Sequence, residues 1–237
     1  MIGNIFNTIL VYPLLNLLVF FYNFIPDLGV VIILITVLVR LALLPSFHKS
    51  LKHQKAMQDL QPKMNEIKEK YKEDKEQQAK ALMELYKIHS VNPLSSCLPM
   101  LIQLPILIAL YFVFIQSLNG EALRGIYGFI SAPQSLDPTF LGFLDLSKSN
   151  IIIAVIAGGL QFLQGKMMAP RTQGTDQMSK IFSYQTIYFF PLLTFFIGMR
   201  FPAGLPLYWV VTTLFGVGQQ YFILRKETSQ ALKNANS

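Results

Sequence analysis

Charge is scarce in this chain. Only 14% of its 237 residues are Asp, Glu, Lys or Arg, where a soluble domain carries about 25%. Most of the charged residues fall between Lys49 and Lys87, and long uncharged stretches lie on either side. A soluble fold spreads charge over its surface, so this pattern excludes one. It points to an all-α, multi-pass membrane protein with a single polar insertion. The formal net charge of +7 therefore speaks first to topology, and no direct nucleic-acid recognition is expected. Cysteine is nearly absent. Cys97 stands alone, which excludes an intrachain disulfide, and it reads as a packing residue at the start of an apolar segment. No basic residue precedes the first apolar stretch and no small-residue cleavage site follows it, so neither a cleavable nor a lipoprotein signal is expected.

Chemistry is missing too. There is no GxSxG, no HExxH, no Gly-rich phosphate loop and no pair of carboxylates inside an apolar run. His48, His53 and His89 lie in or beside the polar insertion, and His48 and His53 are spaced poorly for a shared metal on one helix. They read as surface histidines. The apolar spans hold no Asp or Glu, which argues against a proton-coupled carrier. No catalytic residue, metal or cofactor is expected, and the chain is not read as an enzyme.

What is present begins with Arg40. It sits in the apolar run Leu28–Leu44. A guanidinium keeps its charge at any ordinary pH. Insertion scales put its cost at the centre of a span at about 2.5–3.5 kcal/mol, so it needs water or a partner. Thr36 lies one turn earlier on the same face. Two readings stand at this point. Either the pair marks a wet surface inside the bilayer, or Arg40, one turn from the end of the span, snorkels to the headgroups.

Hydropathy and charge divide the chain as follows. Residues 1–27 are apolar, but Asn4, Thr8, Asn16 and Asn23 fall on one broad face and Pro13 interrupts the middle. An amphipathic helix on the membrane surface fits this pattern, and a sixth span competes with it, slightly favoured by hydropathy alone. Five spans are expected at 28–45, 93–118, 149–168, 181–199 and 205–224. Residues 46–92 form the charged insertion, where apolar residues recur at helical spacing and a break near Tyr71–Glu76 suggests a helical hairpin. Basic residues concentrate in that hairpin, around the 169–180 loop and in the 225–237 tail, which places all three in the cytoplasm. The 119–148 loop and the turn at 200–204 go outside, with the N-terminus outside and the C-terminus inside.

The spans also carry scattered neutral polarity: Gln103, Gln161, Gln164, Trp209, Thr212 and Thr213 among them. Taken singly, such residues form interhelical hydrogen bonds of about 1 kcal/mol or less. Taken with Arg40 and Thr36, they outline a candidate water-filled cavity with one fixed positive charge.

Several motifs now stand in order. They are Ile33–Arg40 with Pro45, Leu60-Gln-Pro-Lys63, Leu85-Tyr-Lys87, Val91-Asn-Pro-Leu94, Cys97–Ile106, Phe201–Trp209 and Gln219-Gln220. Together, over about residues 28–226, they resemble the YidC/Oxa1/Alb3 membrane protein insertases. The resemblance implies five helices around a hydrophilic groove open to the cytoplasm and to lipid, with the arginine matching Arg40 projecting into the groove and the threonine matching Thr36 beside it. It implies a greasy slide on the second and fourth spans, a mobile cytoplasmic hairpin and an N-terminal helix on the outer surface. The implied function is a membrane insertase and chaperone of the bacterial plasma (inner) membrane, acting alone or with the Sec translocon. Implied partners are nascent membrane proteins and the lipid bilayer. The short tail, with Arg225, Lys226 and Lys233, predicts weak ribosome attachment at most. A monomer is expected. The large extracytoplasmic β domain typical of Gram-negative members is not expected within these 237 residues. The competing reading is a small anion channel or carrier with Arg40 as its charge site.

Overall fold

The computed structural model describes residues 2–92, 98–118, 125–133, 135–168 and 183–235. Cys97, the start of the expected second span at 93–97 and the expected loop at 169–180 lie outside the described residues. The elements run α1 (Ile2–Phe6), a π turn (Asn7–Val11), α2 (Tyr12–Tyr22), α3 (Leu28–Ala42), α4 (Leu44–Asp59), α5 (Gln61–Lys70) and α6 (Lys75–Ile88). They continue with α7 (Leu98–Leu118), β1 (Thr139–Phe140), β2 (Leu144–Asp145), α8 (Ile151–Met168), a second π turn (Gln185–Phe189), α9 (Phe190–Arg200) and α10 (Gly204–Ala235). The fold is mostly helical.

Prolines set much of this punctuation. Pro45 and Pro62 sit in the first turns of α4 and α5, where a missing N–H costs nothing. Each π turn ends two residues before a proline, Pro13 or Pro191. Those prolines cannot bond the carbonyls of Ile9 and Ile187, and the wider turn accommodates the lost bond. Helix α3 stops at Ala42, three residues before the expected boundary at Pro45, and α10 stays helical through the expected tail as far as Ala235.

The chain forms two compact units. The first comprises Met1–Ala42, Met100–Leu160 and Pro191–Phe215. Its core packs Val11, Leu15, Leu18 and Val19 with Val31, Ile35, Val113, Phe114 and Tyr208. Asp27 starts α3, accepting from Val30 N through Oδ1 at 2.9 Å, while Oδ2 accepts from Leu141 N at 2.7 Å. One carboxylate thus caps a helix and holds the tip of the β1–β2 hairpin. The ring of Phe140 lies over Gly29, where any Cβ would overlap it. Below the hairpin, Lys148 Nζ pairs with Asp145 at 2.8 Å, and Ser147 donates to the same carboxylate through its backbone N–H at 3.0 Å. Lys148 and then the Ser147 bonds hold the Asp145 carboxyl down at about 2. What this pairing adds to stability is present above the ordinary aspartate value of 3.8 and is lost as pH falls toward about 2. Ala203 N and Gly204 N donate to Lys148 O and Leu146 O, fixing the loop to the start of α10.

Helices α8 and α9 meet through small residues. A Cβ at Gly198 would sit 3.0 Å from that of Ala154, and one at Gly158 would sit 3.1 Å from Pro191 O. In hydrocarbon there is no hydrophobic drive between helices, so close backbone approach supplies the attraction.

The second unit comprises Leu43–Pro99, Gln161–Phe190 and Gly216–Ser237. It holds the charged hairpin. Asp74 caps α6, accepting from Glu76 N and Gln77 N at 3.1 and 2.9 Å. That cap fixes the turn within the expected Tyr71–Glu76 break. Leu60, Met64 and Val91 form a small core with Ala56, Met57, Leu82, Leu85 and Tyr86. Gln78 Nε2 on α6 donates to Lys68 O on α5 at 2.9 Å. The Met64–Tyr86 and Lys68–Gln78 pairs make the two helices antiparallel. Burial raises the Tyr86 hydroxyl above its usual value.

The α8–α9 contact gives a controlled prediction. Gly198→Leu forces the two helices apart and should destabilise the protein by about 1–3 kcal/mol. Gly159→Leu is the control, because open space surrounds that position. Thermal unfolding in detergent should show a clear loss for the first variant and little change for the second.

Candidate functional site

Six of the eight residues expected to form the site belong to the first unit: Arg40, Thr36, Gln103, Trp209, Thr212 and Thr213. Gln161 and Gln164 belong to the second, where the Gln164 amide lies against Gly216 and leaves no room for a Cβ there.

Three helices position the first group. Arg40 is carried by the last turn of α3 and donates through Nε to Thr212 Oγ1 on α10 at 3.1 Å. Thr212 also shares a side-chain hydrogen bond with Tyr208, one turn earlier on α10. Gln103 Nε2 on α7 donates in turn to the Tyr208 hydroxyl. The result is a polar chain, Arg40–Thr212–Tyr208–Gln103, that links α3, α10 and α7. Tyr208 is 2% exposed and lies in the apolar core, and these partners satisfy its hydroxyl there. Thr213 is buried beside Thr212, and Trp209 packs against the core from the same helix.

Thr36, one turn before Arg40 on the same face, is satisfied within its own helix. It is buried, and its hydroxyl donates to Ile32 O in its own helix at 2.6 Å. This back-bond is the ordinary way for a threonine to satisfy its proton inside an apolar helix. Tyr208 is the residue that sequence reasoning passed over. Its signal was present, since Tyr208 and Thr212 stand at the four-residue spacing that places side chains on one helical face.

A second polar cluster joins the α2 helix to the loop after residue 125. Asn16 is buried; it donates to Gly125 O at 2.8 Å and accepts from Tyr127 N at 2.7 Å. Tyr22 OH accepts from Asp137 N at 2.8 Å, and Asn23 Nδ2 donates to Ser131 O at 3.0 Å. Two of the four polar residues on the expected amphipathic face, Asn16 and Asn23, thus bind this loop, and a third, Thr8, donates to Asn4 O one turn earlier at 2.8 Å.

Apolar side chains face outward along these helices: Ile5, Ile9 and Phe20 near the N-terminus, Leu101 and Ile108 on α7, and Ile151 and Val155 on α8. Apolar side chains outside, with polar groups such as Asn16 and Thr212 bonded inside, invert the soluble pattern and fit a mostly helical membrane protein.

Comparison with known proteins narrows the class. The family model of the 60Kd inner membrane protein matches residues 20–230. The chain belongs to that family. A Membrane protein insertase YidC from Pelobacter propionicus is 38% identical over 216 residues, covering 91% of this chain and 38% of that protein. A protein of the same name from Geobacter sulfurreducens is 35% identical over 223 residues, covering 93% of this chain and 38% of its own length. The namesake from Syntrophus aciditrophicus is 37% identical over 216 residues, covering 90% and 36%. The chain therefore spans somewhat over a third of the length of the curated relatives it matches.

The polar chain makes a measurable claim. If Gln103 and Tyr208 bond across helices, a double-mutant cycle of Gln103→Leu and Tyr208→Phe should give a coupling of about 0.5–1.7 kcal/mol, the range of interhelical bonds in membranes. Unfolding free energies in mixed micelles supply the four corners. Additive single effects would mean that the two groups do not interact.

Proposed function

We propose that this chain is a membrane protein insertase of the bacterial inner membrane. The observation that carries the reading is Arg40, held by Thr212 at the head of a polar chain inside an otherwise apolar unit. A permanent charge at that position is costly unless it acts on something. The proposed action is recruitment. Arg40 attracts the acidic or polar tail of a nascent membrane protein into a hydrated groove formed with Thr36, Gln103, Trp209, Thr212 and Thr213. The tail then has only part of the bilayer to cross. The apolar part of the substrate leaves sideways into lipid, and its burial drives the step at roughly 25 cal/mol per Å². The names carried by the relatives support the same reading.

The proposed architecture has five spanning helices, the charged hairpin and the C-terminus in the cytoplasm, and the N-terminus outside. The chain works as a monomer, alone or beside the Sec translocon, with weak ribosome contact. The N-terminal helix lies along the outer surface. Gly3–Tyr22 is long and apolar enough to cross a membrane. Yet the Tyr12 ring lies against Gly125, and Asn16, Tyr22 and Asn23 bond residues 125–137. A helix crossing upright would meet an outer loop at one end; contact along all of α2 fits a helix lying beside that loop. In a Cys97→Ser background, Asn4→Cys should react with an impermeant thiol reagent added outside intact cells. Reaction only after the inner face is opened would instead establish six spans.

Arg40 supplies the functional test. Purified chain in liposomes should insert a short single-span protein with an acidic translocated tail without conducting small anions. Arg40→Ala should lower that insertion at least several-fold, while Arg40→Lys, which keeps the charge, should retain much of it. Equal activity of Arg40→Ala on acidic-tailed substrates would falsify the recruitment role. Anion flux without insertion would favour the channel.

A further inference from the structure

Three segments of the first unit are tied together around the α2–α3 connection. Asn23 holds the loop at Ser131, Tyr22 holds it at Asp137, and Asp27 holds the β1–β2 tip at Leu141. Beside exposed Asn23, Ser131 and Asp137, these segments present large apolar side chains outward. Phe24 is 72% exposed, Phe129 83%, Leu141 58% and Phe143 78%. The stretch Pro138–Leu144 carries no charge.

Turn chemistry does not account for the tip. Leu141 and Gly142 both have positive φ, 51° and 76°. Two central residues in that region define the tight hairpin turn that favours Asn, Asp or Gly at the first position. A leucine is strained there. Strain at an exposed apolar residue implies a use for the side chain. The patch is also continuous with the apolar exterior of α2, because Phe24 packs edge-on against exposed Phe20 with ring centroids 5.1 Å apart.

We propose that Phe24, Phe129, Leu141 and Phe143 form a lipid-binding rim that seats this loop at the headgroup–acyl boundary of the bilayer. Large apolar side chains on uncharged backbone favour that boundary. The occupant is phospholipid, since the patch continues the apolar exterior of α2, Pro138–Leu144 carries no charged side chain, and the carboxylate at the tip, Asp27, is taken up by Leu141 N and Val30 N. The rim rests on the chain being a membrane protein, and is independent of insertion activity.

The test uses the full chain in a Cys97→Ser background, reconstituted in phosphatidylethanolamine–phosphatidylglycerol vesicles. Phe143→Cys and, separately, Phe129→Cys carry a nitroxide, with Ser149→Cys, on an exposed position nearby, as the aqueous reference. Power-saturation spectroscopy compares collisions with oxygen and with a water-soluble nickel chelate present on both sides. At Phe143 and Phe129, oxygen collisions should exceed those with nickel several-fold, and at Ser149 the order should reverse. Nickel access at the two rim sites equal to that at Ser149 would overturn the proposal. So would shielding from both reagents, which marks a protein partner. Phe24→Cys gives a third reading if one loop variant fails to fold. Insertion measured on the same vesicles separates the two ideas: oxygen-rich labels with no insertion leave the rim standing and count against the proposed function.

Discussion

The hydrogen bond from Arg40 to Thr212 is the constraint around which the first unit is organised. A guanidinium on an apolar helix has to find polar partners, and hydrocarbon offers none. Thr212 supplies one, Tyr208 supports Thr212, and Gln103 reaches Tyr208 from a third helix. The charge thus fixes how α3, α7 and α10 face one another at one depth. Helices α8 and α9 of the same unit meet through small residues instead. The tight α8–α9 approach needs only Ala154, Gly158 and Gly198.

The loop between α7 and α8 is held by a different logic. It has one short hairpin, and its order comes from polar groups on neighbouring helices. Asn16, Tyr22 and Asp27 each bond its backbone, and Lys148 O and Leu146 O receive the N–H groups that open α10. Side-chain caps of this kind satisfy backbone that has no ladder of its own. They also leave the apolar side chains of the loop free to face outward.

The charged hairpin is built on separate principles. Its core is a few residues, Leu60, Met64 and Val91 with their neighbours, and its turn is set by one aspartate cap. Most of its charged side chains remain exposed, as with the Glu76–Lys80 pair on α6, an exposed type that adds little stability. The first unit, by contrast, is pinned by polar bonds at many points.

The sequence by itself determined which stretches are apolar enough for hydrocarbon, where prolines start or widen helices, where the hairpin turns, and that Arg40 needs an explanation. These are local properties: composition, four-residue spacing, proline's missing N–H and the cap at Asp74. The ordered motifs made the family legible as well. Tertiary structure alone decided which polar groups meet. Gln103 and Tyr208 are far apart in sequence, as are Asn16 and Tyr127, and no local spacing predicts that they bond. Thr36 is a further case. Spacing puts it on the face of Arg40 but does not name the acceptor of its hydroxyl, which is Ile32 O. A hydroxyl takes the nearest acceptor that geometry allows, and only the packed helices reveal which acceptor that is.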